Sequence, residues 1–302
     1  MKIKGVYTAL VTPFTGVNNT SVNYTVLKEN IRFQLESGIS GLVPLGTTGE
    51  TPTLTKEEQI KIINCTVSEA KGKAVILVGT GTNSTASTIE NTLRAKDLGA
   101  DAALIVTPYY NKPTQEGLYR HFAAVAEAAD LPLVVYNIKG RSCVNIETAT
   151  MFRLAKIPQV VAVKEASGDI GQIGDVVKEL ASDKFSVMSG DDGLTLPAMA
   201  LGAAGVVSVL SNLLPKEVVA LVSAAASNDI TAARKIHYHL LPLFKAIFIE
   251  TNPIPIKAAM NLCGIPCGGH RLPLCEMKQE NLEKLISVLQ ELKIIKGLSN
   301  AV

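Results

Sequence analysis

Lys164 sits in Val160-Val161-Ala162-Val163-Lys164-Glu165-Ala166, a short apolar run of the kind that forms a buried strand. An ammonium placed there has little water to solvate it. Burial disfavours the charged form of lysine, and a partly deprotonated amine is a nucleophile toward carbonyl carbon. One residue thus points to a reaction class, imine formation with a keto substrate. A lysine in such a run can also snorkel out at the strand end or join a buried ion pair. What else converges on it therefore decides.

Imine chemistry moves protons at each step, and Tyr136 closes another apolar run, where a phenol can serve as general acid and base. Arg141 follows in the next loop and offers a fork for a carboxylate. Gly46-Thr47-Thr48-Gly49 suits anion capture, because glycines permit turns that expose backbone N–H groups and a following helix N-terminus adds positive dipole. Thr55 and Glu58 read as a capping box for that helix. No Walker sequence is present, which favours a carboxylate over a nucleoside phosphate. Lys112 and Lys139 are competing amines, but both fall in loops where an ammonium stays hydrated.

Two sets of metal-binding residue types lead nowhere. Cys263, Cys267, His270 and Cys275 do not have the spacing of a common zinc motif. His237 and His239 diverge on a helix, and His121 reads as a solvated helix residue. Aldol chemistry through an imine needs no metal, and no cofactor is expected.

These side chains need a scaffold that brings them to one face. Eight runs rich in Val, Ile, Leu and Ala recur: Val6–Val11, Gly41–Leu45, Ala74–Val78, Ala102–Val106, Leu131–Tyr136, Val160–Lys164, Phe185–Ser189 and Gly205–Leu210. Segments with helical spacing lie between them, among them Val26–Glu36, Lys56–Lys71, Ser87–Leu98, Gln115–Ala129 and Ile146–Ala155. Strand and helix alternating at this pace predict right-handed βαβ units and a parallel sheet. Eight units predict closure into a (β/α)₈ TIM barrel. An open doubly wound sheet is disfavoured, since no glycine fingerprint follows the first run. In a barrel, the C-terminal strand ends carry the chemistry. Here those ends are where Thr47, Thr48, Tyr136, Lys164, Gly190 and Ser208 fall.

Only helical stretches follow: Lys216–Ser227, Thr231–Glu250, Ile254–Leu262 and Lys278–Lys296. One finishes the barrel. We therefore expect a barrel over residues 1–227 and a helical C-terminal extension over 228–302. The net charge of +2 without a dense basic stripe argues against nucleic acid or an anionic membrane. No apolar stretch approaches the roughly 20 residues of a membrane span, and the N-terminus reads as a first strand rather than a signal peptide. Five cysteines, an odd number without framework spacing, predict a reducing cytoplasm.

Over nearly its whole length the chain resembles the dihydrodipicolinate synthase family, within the N-acetylneuraminate lyase superfamily. The resemblance is carried by Thr8-Ala9-Leu10-Val11-Thr12-Pro13-Phe14, Gly46-Thr47-Thr48-Gly49-Glu50, Val106-Thr107-Pro108-Tyr109-Tyr110-Asn111-Lys112-Pro113 and Val163-Lys164-Glu165-Ala166-Ser167-Gly168. It continues through Ser189-Gly190-Asp191-Asp192, Asn252-Pro253-Ile254-Pro255-Ile256-Lys257 and Arg271-Leu272-Pro273-Leu274. The resemblance implies that Lys164 forms a Schiff base with pyruvate. It implies that Thr47 and Thr48 hold the pyruvate carboxylate and that Gly190 and Val207 line the pocket. Tyr136, Thr47 and Tyr110 would form a proton relay, with Tyr110 inserted from a neighbouring subunit. Arg141 would bind the carboxylate of L-aspartate-4-semialdehyde. The product would be 4-hydroxy-tetrahydrodipicolinate, at the first committed step of lysine and diaminopimelate biosynthesis, and the assembly a homotetramer built as a dimer of dimers.

Two departures from the family pattern matter. Lys139 stands where the family has proline, which removes a backbone restraint beside Arg141. Lys56, Gln59 and Ser87 stand where members sensitive to L-lysine carry two histidines and a glutamate, so weak or absent inhibition by lysine is expected. Two other readings remain open at this point. One is a pyruvate aldolase or dehydratase acting on N-acetylneuraminate or a 2-keto-3-deoxy sugar acid. The other is a non-catalytic pyruvate-binding barrel.

Overall fold

The computed structural model describes residues 1–295. β1 (Gly5–Ala9) is followed by a small antiparallel hairpin, β2 (Phe14–Thr15) and β3 (Ser21–Val22). Then come β4 (Gly41–Val43), β5 (Val75–Gly79), β6 (Ala102–Val106), β7 (Leu133–Asn137), β8 (Val160–Glu165), β9 (Ser186–Ser189) and β10 (Gly205–Ser208). Hairpin aside, the strands pair in parallel in chain order, and β10 pairs with β1 to close an eight-stranded barrel. The predicted runs and the observed strands coincide to within a few residues at their ends. The hairpin was not expected.

Helices connect the strands: α1 (Tyr24–Glu36), α2 (Lys56–Ala70), α3 (Thr85–Asp97), α4 (Gln115–Ala129), the single turn α5 (Lys139–Ser142), α6 (Thr148–Leu154), α7 (Ile170–Leu180), α8 (Thr195–Ala200) and α9 (Pro215–Ala226). Helix α4 illustrates why they form. Thr114 caps its start by accepting from the Gly117 N–H, and Leu118, Phe122, Val125, Ala126 and Ala129 fall on one buried stripe. Burying Phe122 alone stabilises the fold by about 1.5–3 kcal/mol. His121 belongs to the same buried face, contrary to the solvated position expected. It is 4% exposed, with Nδ1 3.0 Å from Thr85 Oγ1, because its position three residues after Leu118 points it at α3.

Inward-facing Tyr7, Val43, Leu77, Leu104, Val134, Ala162, Met188 and Val207 fill the barrel's interior. The barrel is thus packed below its mouth, and a ligand can enter only at the C-terminal end of the strands. The extension comprises α10 (Ile230–Ala246), α11 (Ile254–Leu262) and α12 (Gln279–Glu291). The predicted last helix ended at Lys296, which lies outside the described residues. Leu240, Leu243, Ile256, Met260, Leu285 and Leu289 of the extension share one apolar cluster with Leu10, Val11 and Leu210 of the barrel. We propose the boundary near residue 228, in the turn between α9 and α10.

Candidate active site

Along β8 the side chains alternate, so Ala162 and Lys164 face the interior while Val163 packs outward. Lys164 is the last inward residue and is 6% exposed. Tyr136 is its register partner on β7, and Nζ lies 4.0 Å from the Tyr136 ring centroid. Among the described residues, Nζ has no hydrogen-bond or ion-pair partner. It borders a cavity of about 530 Å³ at the mouth of the barrel, whose walls include Thr47, Thr48, Tyr136, Arg141 and Gly190. Glycine is required at position 190: a Cβ there would lie 3.1 Å from Lys164 Cε and 2.6 Å from Ala166 Cβ. Any other residue would crowd the amine.

Outward-facing Glu165 keeps the two strand ends in line. Its carboxylate accepts from Asn137 Nδ2 at 3.1 Å, from the Ser167 N–H at 2.8 Å and from Gln172 Nε2 at 3.3 Å. Burial raises its pKa, and these bonds oppose the rise. The carboxylate thus ties β7, which carries Tyr136, to β8, which carries Lys164. Asp192 does the same beyond β10. It accepts from the backbone N–H groups of Val209 (2.9 Å) and Leu210 (3.2 Å) and from Ser208 Oγ, and burial pushes its pKa up to about 6.

The Gly46–Glu50 segment differs from the expectation in one respect. It does not run directly into α2, whose N-terminus was expected to add its dipole. Its threonines form a separate 3₁₀ turn, Thr47–Gly49, and Glu50 then takes a left-handed conformation at φ 54°. The capping box of Thr55 and Glu58 is present, but it starts α2 after a second turn, Thr51–Thr53. The dipole of α2 therefore does not point from the threonines. Thr47 and Thr48 of the 3₁₀ turn are what line the cavity.

Arg141 is held without the family's proline. α5 forms a single turn in which the Arg141 and Ser142 N–H groups both donate to the Ile138 carbonyl. Ser142 Oγ donates to the same carbonyl at 2.9 Å and lies 3.3 Å from Thr107 Oγ1. Arg141 Nη2 then reaches the Asn252 carbonyl at 3.1 Å. Lys139 and Lys112 are both exposed.

One predicted residue is not at the cavity wall. Val207 lies lower in the barrel, packed with Tyr7 and Met188, and Val209 reaches the cavity instead. Tyr110, expected to act in a neighbouring subunit's site, is 88% exposed at φ 72° and does not line this chain's own cavity, whereas Tyr109 does. Two residues were missed. Asn252 lines the cavity from the extension, away from any strand end. Lys257 on α11 is fully buried, with Nζ 2.9 Å from Glu50 Oε1 and 3.1 Å from the Thr12 carbonyl. The reasoning that singled out Lys164 applies equally to Ile254-Pro255-Ile256-Lys257-Ala258-Ala259-Met260, where a lone cation sits in an apolar run.

A closed parallel barrel with a substrate-sized cavity at its C-terminal mouth is the architecture of a barrel enzyme. The chain belongs to the dihydrodipicolinate synthetase family, whose model matches residues 2–292. It is 50% identical to the 4-hydroxy-tetrahydrodipicolinate synthase of Protochlamydia amoebophila, over 97% of each chain. It is 49% identical to the enzyme of that name from Methanocaldococcus jannaschii, over 97% of this chain and 99% of the relative. The crystal structure of dihydrodipicolinate synthase from Aquifex aeolicus superposes with a TM-score of 0.93 at 47% identity, covering 98% of this chain and all of the other.

Proposed function

We propose that this chain condenses pyruvate with L-aspartate-4-semialdehyde to give 4-hydroxy-tetrahydrodipicolinate, through a Schiff base on Lys164. The observation that carries the reading is the Lys164 amine, buried, unpartnered and bordering the cavity beside Tyr136. In this reading the Thr47–Gly49 turn receives the pyruvate carboxylate. Nζ attacks C2 of pyruvate, and Tyr136 transfers the protons that convert the carbinolamine to an imine with loss of water. Loss of a methyl proton gives an enamine, whose carbon adds to the aldehyde while Arg141 holds the second carboxylate. The substrate's own amine then attacks the imine carbon, closes the ring and frees Lys164.

The reading extends to assembly and setting. Tyr110, exposed on the rim, suits insertion into a neighbouring subunit of a homotetramer, which sedimentation analysis would test. All five cysteines are free, in keeping with a cytoplasmic setting. No helix among the described residues is long and apolar enough to cross a membrane. Lys56, whose Nζ pairs with Glu90 at 2.9 Å, adds a cation where lysine-sensitive members have none, so micromolar L-lysine should leave the steady-state rate unchanged.

Borohydride reduction in the presence of pyruvate, followed by intact mass and peptide mapping, tests the core of the proposal. An adduct on Lys164 is expected. No adduct would favour a binding protein, and an adduct on Lys112 or Lys139 would overturn the site. Comparison of kcat/KM for aspartate semialdehyde and sugar-acid substrates then separates the synthase from the sugar-acid aldolases.

A further inference from the structure

Asn252 lies between α10 and α11 and is 5% exposed. Its Nδ2 donates to Thr48 Oγ1 at 2.9 Å, the only hydrogen bond that this hydroxyl makes among the described residues. Its main-chain oxygen accepts from Arg141 Nη2 at 3.1 Å. One residue of the extension therefore touches the groups assigned above to the carboxylates of both substrates. Its Oδ1 is buried without a partner, so the amide is not locked into a wider side-chain network. The backbone around it is anchored instead. Ile254 N–H donates to the Thr251 carbonyl, and Lys257 on the next helix is fastened to Glu50, the residue that closes the threonine turn.

The direction of the bond to Thr48 matters. A hydroxyl has one proton to donate and two lone pairs that accept, whereas an amide nitrogen only donates. With Nδ2 engaging a lone pair of Thr48 Oγ1, the Thr48 proton remains available to an acceptor in the cavity. We propose that Asn252 is a positioning residue that fixes the hydrogen-bond polarity of Thr48, so that its hydroxyl donates to the carboxylate of a 2-keto acid. This rests on the reading of Lys164 and the threonine turn given above.

Asn252→Asp keeps the shape and inverts the polarity. A carboxylate only accepts, so it takes the Thr48 proton and adds a negative charge facing the substrate's own. Asn252→Ala removes the partner and leaves the hydroxyl free to rotate. The pyruvate concentration giving half-maximal borohydride trapping should rise about 100-fold in N252D and about tenfold in N252A, with kcat at saturating pyruvate falling much less. Thr48→Val removes the hydroxyl, and N252A added to T48V should then raise the trapping concentration no further, within about twofold. A merely structural asparagine would instead give additive losses. N252D trapping at the wild-type pyruvate concentration, or full additivity of N252A with T48V, would overturn the inference. N252A carries the cycle alone if N252D does not fold. The wild-type trap separates the two layers: no adduct on Lys164 sinks the reading of the site, whereas an adduct with unaltered N252D and N252A sinks this inference only.

Discussion

Lys164 and Lys257 are both buried, yet their surroundings are opposite. Lys257 is closed off from solvent, and three acceptors take its ammonium: Glu50 Oε1, the Thr12 carbonyl and the Gly269 carbonyl. The Phe14 ring lies 4.3 Å from its Nζ. Burial lowers its pKa, and the Glu50 carboxylate opposes the shift. An amine whose N–H groups are all engaged has no lone pair to offer a carbonyl. Lys164 has a ring face on one side, a cavity on the other and no acceptor among the described residues. Depth alone therefore does not make a lysine reactive. What decides is whether its donors are satisfied and whether a substrate can approach.

Exchanging the lysines' fates gives the widest expected separation. Lys164→Arg or Lys164→Met should lower kcat/KM by at least about 10³-fold and abolish the pyruvate adduct, because neither replacement can form an imine. Its effect on thermal unfolding should be small, since no bond to Nζ is lost. A variant retaining turnover would remove the basis for the mechanism. Lys257→Met should do the reverse. Leaving Glu50 buried and unpaired destabilises by about 3–5 kcal/mol, read as a lower urea midpoint, while any folded protein still traps pyruvate on Lys164. Adding Glu50→Gln to K257M removes the stranded charge and should restore much of the stability. Failure to restore any would mean that the pair does not act as a unit.

Arg141 tests the next level of the comparison, a cation at the cavity mouth rather than beneath it. Arg141→Ala should lower kcat/KM for aspartate semialdehyde by about 10–100-fold, through loss of a charge-assisted bond to the carboxylate. The concentration of pyruvate needed for trapping should not change. If both substrates weakened equally, Arg141 would be holding the Asn252 segment rather than binding a substrate.

The barrel was readable because each strand is an apolar run bounded by turn residues and each helix repeats its apolar stripe. Lys164, Tyr136 and Thr47 were readable because strand ends in a barrel all open on one face. Three kinds of residue escaped this reasoning. Asn252 reaches the site from the extension, so no strand register places it. Val207 was assigned by resemblance, and within this chain it packs in the barrel. Glu50 and Lys257 lie far apart in sequence, and only the fold, which brings α11 to Glu50 and to the Thr12 carbonyl beyond β1, makes them a pair. His121 was misplaced because a polar residue on an amphipathic helix was assigned to the wet face, while its spacing from Leu118 and Val125 puts it on the dry one.

His121 extends the comparison to a base with a single neutral partner. Thr85 Oγ1 meets Nδ1, and Nε2 is buried without a partner. With no carboxylate to hold a charge, burial pushes its pKa from 6.5 down to about 4. The unfolded chain then binds the proton that the folded chain refuses between those values. The His121 contribution to stability is complete above pH 6.5 and is lost as the pH falls toward 4. Between pH 7.5 and 5 that loss amounts to about 2 kcal/mol. Asp192, with its pKa raised to about 6, and Glu165, also raised, act with the opposite sign in this acidic range. The informative quantity is therefore the difference between wild type and His121→Gln, which keeps a polar group near Thr85 and does not titrate. Urea unfolding at pH 7.5 and pH 5 should show the variant losing about 2 kcal/mol less on acidification than the wild type. Equal losses would mean that His121 accepts its proton inside the fold, and that a lone hydroxyl can do for imidazole what Glu50 does for Lys257.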